Sequence, residues 1–139
     1  MSKTEDMLAI QQVIAQYSYT YDFLDAEGWA NLFTEDGIWE RFRGADAEPA
    51  TRLVGRQEIL QWAKESMERR LEGSYNLHHQ TALLFDKMTD ESAQTRTMVL
   101  ITAHDAPDEP NRVTLTGYYQ TSWRKTAQGW QMRHCILRG

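Results

Sequence analysis

The stretch YSYTYDFLDAEGWANLFTEDG, residues 17–37, is the part of the sequence that most constrains the fold and the function. It places one carboxylate, Asp22, among the aromatic side chains of Tyr17, Tyr21 and Trp29, where a solvent-facing helix surface would carry more charge. Burial disfavours the ionised form of a carboxyl group, and the C-terminal end of a helix acts in the same direction. Asp22 is therefore either a candidate catalytic group or a helix-end residue that faces water.

The sequence on both sides of this carboxylate predicts two helices. Ser-x-x-Glu at residues 2–5 has the spacing of a capping box, and apolar residues follow at steps of three and four, which predicts a helix over 4–23. Asp25 can cap a short second helix that ends at Phe33. The residues Thr-Glu-Asp-Gly at 34–37 then predict a turn.

From residue 38 onward the apolar residues recur with a period of two, which predicts strands. We expect a strand over 38–42, a loop over 44–50, a short strand over 51–54 and a third helix that starts at 55–58 and stops at Gly73. Four long strands follow, over residues 75–88, 92–104, 112–125 and 130–137. This order predicts an α+β fold: a cone-shaped, curved, mostly antiparallel sheet with three helices that cover a pocket.

Length and composition indicate one globular domain and argue against nucleic-acid binding. A chain of 139 residues fits one domain, and 41% hydrophobic residues with five Trp, six Tyr and four Phe can form both a core and an aromatic pocket. Lys and Arg total 15 against 20 Asp and Glu, and a net charge of -5 would repel a nucleic-acid backbone. We therefore expect a small-molecule ligand and no nucleic-acid partner.

The sequence also indicates a compartment and argues against a structural metal. Cys135 is the one cysteine, and the chain lacks the paired Cys or His spacings of a zinc site, so we expect no metal and a reducing environment. The first ten residues lack a signal-peptide pattern, and no apolar run approaches the roughly 18 residues of a membrane span. We expect a cytoplasmic protein with no membrane partner.

Several motifs together resemble the nuclear-transport-factor-2-like superfamily, and within it the SnoaL-like group that includes scytalone dehydratase and bile-acid 7α-dehydratase. The resemblance covers almost the whole chain and predicts one SnoaL-like domain over residues 1–139 with the cystatin-like α+β barrel of that superfamily. The motifs that carry it are Tyr17-x4-Asp22, the LFTEDG turn, Gly55-Arg56-x-x-Ile59, the pair His78-His79, and the closing Gly-Tyr-Tyr and Gly-Trp strands.

The resemblance implies a catalytic pair. Dehydratases of this group combine an Asp on the first helix, here Asp22, with a His on the long strand, here His78 or His79. Successive side chains of a strand point to opposite faces, so only one of the two can enter the cavity. The His-His-x-x-Asn pattern of the group favours His78, although this chain has Ala82 in place of the Asn.

Other residues are candidates for catalytic support or substrate binding. Tyr17 and Tyr21 are either catalytic groups that polarise a substrate oxygen or core residues with hydrogen-bonded hydroxyls. The candidates for substrate binding are His79, Trp39, Trp62, His104 and Arg133. The alternatives are a surface or interface position for the histidines, core packing for the tryptophans and an ion pair with Glu40 for Arg133.

Three hypotheses about function follow. The first is a cofactor-independent lyase or isomerase of the dehydratase type, acting on a small hydrophobic cyclic, polyketide-like or steroid-like molecule. The second is a non-catalytic ligand-binding or assembly subunit, as in ring-hydroxylating dioxygenases. The third is an epoxide hydrolase that uses Asp22, Glu40 and Arg41. The sheet face without helices is expected to pack against another copy in a homodimer or homotrimer.

Overall fold

The computed structural model describes residues 2–70 and 72–139 and contains the α+β fold that the sequence predicts. Three helices pack on one six-stranded sheet. The helices are α1 (Lys3–Asp22), α2 (Ala26–Ala30) and α3 (Arg56–Glu68). The strands are β1 (Phe33–Phe42), β2 (Thr51–Val54), β3 (Tyr75–Met88), β4 (Ser92–His104), β5 (Arg112–Thr126) and β6 (Gly129–Arg138).

Helix α1 begins and ends as its sequence predicts to within one residue. The Ser2 hydroxyl accepts the Glu5 backbone N–H at 3.2 Å, and the Glu5 carboxylate accepts the Ser2 N–H at 3.3 Å, so the capping box forms. Apolar residues such as Ile10 and Tyr17 are buried against the sheet. The helix ends at Asp22, and Leu24 follows with a φ of 66° that turns the chain towards α2.

The strands lie in the order β2-β1-β6-β5-β4-β3. Every neighbouring pair is antiparallel except β1 and β6, the second and third strands of the sheet, which run parallel. Register shifts interrupt the pairing of β3 with β4, and Ala82 in β3 has a left-handed φ of 56°. Such bulges bend a strand and increase its twist, which favours the curled shape of this sheet.

The turn predicted over residues 34–37 is wrong, because those residues belong to β1. Phe33 pairs with Met132, and the next paired residues are Ile38 and His134. Between these two pairs β1 therefore advances by five residues while β6 advances by two. The extra residues loop out within the strand. Gly37 is required there because a Cβ at that position would lie 2.9 Å from the Thr34 carbonyl oxygen. The second helix accordingly ends at Ala30, three residues before the predicted end.

Aromatic side chains fill the space between the helices and the inner face of the sheet. Trp29 of α2 has rings packed around it from α1, β1 and α3, with centroid distances between 5.2 and 6.4 Å, and is almost fully buried. These rings are Tyr17, Tyr21, Phe33, Trp39 and Trp62. The packing leaves a cavity between the rings and the strands β3 to β6.

Candidate functional site

The cavity has a volume of about 300 Å³ and lies between α1, α3 and the inner face of the sheet. Its lining is mostly aromatic and aliphatic, with a few polar groups. The lining residues are Tyr17, Tyr21, Trp29, Trp39, Arg41, Thr51, Trp62, Asn76, His78, Ile101, Thr114, Leu115, Tyr119 and Leu137. This mixture of apolar walls and few convergent polar groups is typical of a small-molecule site.

Asp22 and His78 form a hydrogen-bonded pair at the wall of this cavity. The Asp22 Oδ1 lies 2.6 Å from the His78 ring Nδ1, and Asp22 Oδ2 accepts the His78 backbone N–H at 2.7 Å. The side chains are 4% and 10% exposed, respectively. The two bonds engage both carboxylate oxygens, so they fix the carboxylate and the position of the imidazole together.

The local fold explains how these residues meet. Asp22 is the last residue of α1, and the start of β3 passes beside the end of that helix. Arg70, just after α3, donates a 2.7 Å hydrogen bond to the Asp22 backbone carbonyl and so satisfies one of the free carbonyls at the helix end. The arrangement therefore depends on contacts among all three segments, α1, α3 and β3.

The hydrogen bonds define which nitrogen of His78 is available for chemistry. A carboxylate can only accept, so Nδ1 carries the proton that it donates to Asp22. In a neutral imidazole Nε2 then has a free lone pair, which is the arrangement of a general base. The rings of Tyr17 and Tyr21 stand edge-on to the imidazole at centroid distances of 6.2 and 5.4 Å.

The tyrosines of the cavity are held as neutral phenols. The Tyr17 hydroxyl accepts a 2.9 Å hydrogen bond from Trp39 Nε1, and the Tyr21 hydroxyl shares a 2.7 Å hydrogen bond with Ser66. Burial raises the pKa of Tyr17 well above its usual range, and it raises the pKa of Tyr21 and Tyr119 as well. Protonated phenols can donate a hydrogen bond to a substrate oxygen but cannot act as bases at neutral pH.

Three predicted substrate-binding residues lie outside the cavity. His79 points to the opposite face of β3 from His78 and bonds Thr102 Oγ1 at 2.9 Å. The His104 ring bonds Asn111 Oδ1 at 2.7 Å. Arg133 pairs with Asp36 at 3.2 Å, not with Glu40, the alternative partner considered from sequence. The pleat of the strands and these polar partners hold the three side chains away from Asp22.

The residues considered for an epoxide hydrolase do not converge either. Glu40 is buried on the outer face of the sheet, where it pairs with Arg52 at 2.7 Å and with His134. Arg41, the next residue, lines the cavity on the inner face. Two carboxylates that would activate one water molecule are therefore not brought together.

Several residues were not predicted from the sequence to line the cavity, although Arg41 was considered for an epoxide hydrolase. The side chains of Arg41 and Trp39 lie on the same face of β1 because one residue separates them. This alternation was the local signal that could have placed Arg41 in the cavity. Tyr119 lies in the Gly-Tyr-Tyr motif, but the sequence does not show which of its two tyrosines is buried. The sequence around Asn76 and Thr114 does not indicate that they line a cavity. Pairing between strands that are distant in sequence brings them there.

A larger, more open groove of about 800 Å³ lies between α1, the start of β1 and the hairpin of β5 and β6. Three of its four charged lining groups are engaged, because Asp36 pairs with Arg124 and Arg133 and Arg56 donates to the Phe33 carbonyl, whereas the fourth, Glu35, is exposed. No histidine is among the described residues that line it. The smaller cavity beside His78 is therefore the stronger candidate for chemistry.

Residues 2–70 and 72–139 contain neither a cluster of metal ligands nor a membrane-spanning helix. No group of three or more His, Cys, Asp or Glu side chains in these ranges is placed to hold a metal ion. No helix of the same residues is long and apolar enough to cross a membrane.

The curled sheet, the three covering helices and the aromatic cavity between them define a nuclear-transport-factor-2-like protein. The family profile described as SnoaL-like domain matches residues 2–136, so the chain belongs to the SnoaL-like family. A comparison with curated proteins found no match.

Solved structures with the same fold come from proteins of several kinds. An NTF2-like protein with a cystatin-like fold from Novosphingobium aromaticivorans has a TM-score of 0.82 at 19% identity, covering 97% of this chain and 82% of that one. A protein provisionally assigned as a scytalone dehydratase from the same organism has a TM-score of 0.76 at 25% identity, covering 97% and 84%. A protein provisionally assigned as the β subunit of an aromatic-ring-hydroxylating dioxygenase, also from that organism, has a TM-score of 0.80 at 13% identity, covering 94% and 86%.

Proposed function

We propose that this protein is a cofactor-independent lyase or isomerase that removes a proton next to a carbonyl group of a small hydrophobic cyclic substrate. The observation that carries the proposal is the Asp22–His78 pair, with its 2.6 Å contact, at the wall of an aromatic cavity. A base and its orienting group must lie within hydrogen-bond reach of each other, and these two do.

In the proposed reaction, His78 Nε2 takes the proton from the carbon beside the carbonyl, and the electron pair of that bond moves onto the carbonyl oxygen. Asp22 stabilises the imidazolium that forms, and a phenol of Tyr17 or Tyr21 donates a hydrogen bond to the oxyanion. The electrons then return to expel a hydroxyl group from the β carbon. The imidazolium gives its proton to this leaving group, so the products are an enone and water.

The size and the walls of the cavity limit the substrate. A volume of about 300 Å³ is at the small end of ligand sites, which favours one or two fused rings. Flat indole and phenol rings on several sides favour a planar or nearly planar molecule. General acid-base catalysis contributes roughly 100- to 10,000-fold, so positioning of the substrate by these walls has to supply the rest.

A direct test uses 3-hydroxy-1-tetralone, a bicyclic β-hydroxy ketone that loses water to give 1-naphthol, which is followed by its absorbance. We expect the wild-type protein to accelerate the reaction and the Asp22→Asn and His78→Gln variants to lose most of that acceleration. The His79→Gln variant is the matched control, because His79 is the neighbouring histidine on the other face. Equal rates for the His78 and His79 variants would contradict the proposed base.

A second candidate is an assembly subunit without catalysis, and the outer sheet face favours it. Met98, Leu100 and Tyr118 are 61%, 39% and 41% exposed on neighbouring strands of that face, which is the surface that we propose packs against another copy in a homodimer or homotrimer. Light scattering would show this assembly, and Met98→Glu should weaken it. An intact oligomer that never turns over the tetralone would favour the subunit function.

A further inference from the structure

We propose that the ligand of the cavity is an organic acid, whose carboxylate binds Arg41 while its ring lies beside His78. The inference deepens the proposed function and rests on it for the position of the ring. It replaces Arg133, the arginine that the family resemblance suggests, with a residue on a different strand. Four observations support the assignment.

The first observation is the placement of Arg41. It follows Trp39 by two residues on the inner face of β1, and its cross-strand partners Thr51 and Leu137 also line the cavity. The walls on either side are aliphatic, aromatic or hydroxyl-bearing, so this guanidinium is the charged group at its end of the cavity. The preceding residue, Glu40, points to the other face of the sheet and forms an ion pair with Arg52.

The second observation is that the guanidinium has no Asp or Glu partner in the described ranges. No Asp or Glu carboxylate of residues 2–70 or 72–139 lies within 4.0 Å of the Arg41 guanidinium, and its one hydrogen bond within these ranges, to the backbone oxygen of Gly139 at 3.5 Å, is at the limit of hydrogen-bond length. Arg96, Arg112, Arg124 and Arg133, by contrast, each pair with an Asp. A partly buried cation in an apolar wall is normally paired, and a ligand carboxylate would pair it.

The third observation concerns hydrogen-bond donors. Within the described ranges, two buried side-chain polar atoms have no hydrogen-bond partner, and they are Trp29 Nε1 and Arg41 Nε. Both are N–H donors, and both residues line this same cavity. Buried donors without an acceptor are costly, so their occurrence together indicates a ligand that brings acceptor oxygens.

The fourth observation is the charge of a second pocket that adjoins the cavity. A polar annex of about 320 Å³ shares Tyr21, Asn76 and Thr114 with the cavity, and Arg69, Arg70 and Arg112 line it. Asp105 is the one carboxylate among its lining residues. A protein with a net charge of -5 thus carries a locally positive surface beside the cavity, which would attract organic anions and repel cations.

The geometry across the sheet sets the shape of the acid. Arg41 lies on β1 and His78 on β3, with β6, β5 and β4 between them. Four strand spacings amount to about 19 Å in a flat sheet, and the curl of this sheet brings the two residues closer. A carboxylate attached directly to a bicyclic ring fits this arrangement, with the acid at one end and the reacting carbon at the other.

The test compares 2-naphthoate with 2-naphthamide, which have nearly the same shape but differ in charge. Binding is followed by NMR on the five tryptophan indole N–H signals. Trp29, Trp39 and Trp62 line the cavity and report binding there. Trp123 and Trp130 donate to Thr95 and Asp6 outside it and serve as internal controls. Shifts confined to the first three therefore localise the ligand.

We expect wild-type protein to bind 2-naphthoate at least tenfold more tightly than 2-naphthamide, as a charge-assisted bidentate pair implies. Arg41→Gln should remove this preference and leave the affinity for the amide within about twofold. Arg41→Lys should keep part of it, because it retains the charge without the planar fork. Arg133→Gln, the matched control, should keep all of it.

Equal binding of the acid and the amide to the wild type, or no binding of either, would overturn the inference. So would a preference that survives Arg41→Gln but is lost in Arg69→Gln or Arg112→Gln, because the annex would then hold the acid. If Arg41→Gln fails to fold, the wild-type ratio and Arg41→Lys decide. Selective naphthoate binding without turnover of either the tetralone or a tetralone that carries a ring carboxylate would contradict the proposed function alone, and turnover without acid preference would contradict this inference alone.

Discussion

Replacement of Asp22 by Asn should reverse the tautomer of His78. The two carboxylate oxygens accept the His78 backbone N–H at 2.7 Å and the ring Nδ1–H at 2.6 Å. An amide has one acceptor and one donor group, so it cannot reproduce both bonds. If its oxygen keeps the backbone N–H, its NH₂ faces Nδ1 and donates to it. The ring proton then moves to Nε2, and the nitrogen proposed as the base loses its lone pair.

The opposite orientation of the amide is less favourable. It would set the NH₂ against the His78 backbone N–H, leaving a buried donor unsatisfied at a cost of about 1–3 kcal/mol. Two charge-assisted hydrogen bonds become two neutral ones, and the Asp22 side chain is only 4% exposed, so solvent does not screen the loss. We expect the free energy of unfolding to fall by about 1–3 kcal/mol and turnover to fall roughly 100- to 10,000-fold.

The assay is NMR of the imidazole nitrogens in ¹⁵N-labelled protein, which distinguishes a protonated from an unprotonated ring nitrogen. The wild type should show a protonated Nδ1, and the Asn variant a protonated Nε2. Asp25→Asn is the matched control: Asp25 is an exposed helix cap that accepts the Gly28 N–H, and Asn caps as well as Asp. An Asp22→Asn protein that keeps the wild-type tautomer and turnover would refute the reasoning.

Three further predictions concern stability and reactivity. Burial raises the pKa of the Cys135 thiol to about 12, so a thiol reagent at pH 8 should modify native protein far more slowly than unfolded protein; equal rates would contradict this burial. The Asp6 carboxylate has its pKa lowered by the Trp130 indole N–H and then by Lys125, so its stabilisation is present above its ordinary pKa and lost as pH falls through the lowered one. Asp6→Asn should therefore lower the melting temperature at pH 7, with a difference from wild type that shrinks below about pH 4; a constant difference would contradict this. Ala82→Asn should raise stability by about 1 kcal/mol in a denaturant titration, because Asn tolerates a φ of 56° better than Ala; an unchanged or lower midpoint would argue against strain at this bulge.

The helices and long strands were predictable from sequence because local periodicity encodes them. The four strands from β3 to β6 begin and end within one residue of the predicted positions. The start of β1 was not predictable, because residues 34–37 have turn chemistry and join the strand only through pairing of Phe33 with Met132, almost a hundred residues away. Local chemistry and long-range pairing compete there, and a single sequence reveals only the first.

The candidate site divides in the same way. The sequence indicated that one of His78 and His79 enters the cavity, since alternation along a strand is a local rule. Arg41 was considered only for a different reaction, because its lack of a partner depends on where other carboxylates lie in the folded chain. Arg133 was favoured by resemblance, but its ion pair with Asp36 follows from the irregular start of β1, which the sequence did not show.

The most direct test of the account is deuterium exchange at the carbon beside the carbonyl of 1-tetralone, followed by NMR in D₂O. This ketone has no leaving group, so the measurement isolates proton abstraction from elimination. We predict exchange well above the buffer rate with the wild type, a loss of roughly 100-fold or more with Asp22→Asn or His78→Gln, and no loss with His79→Gln. Exchange no faster than in buffer, or equal exchange in all four proteins, would contradict the assignment of His78 as the base.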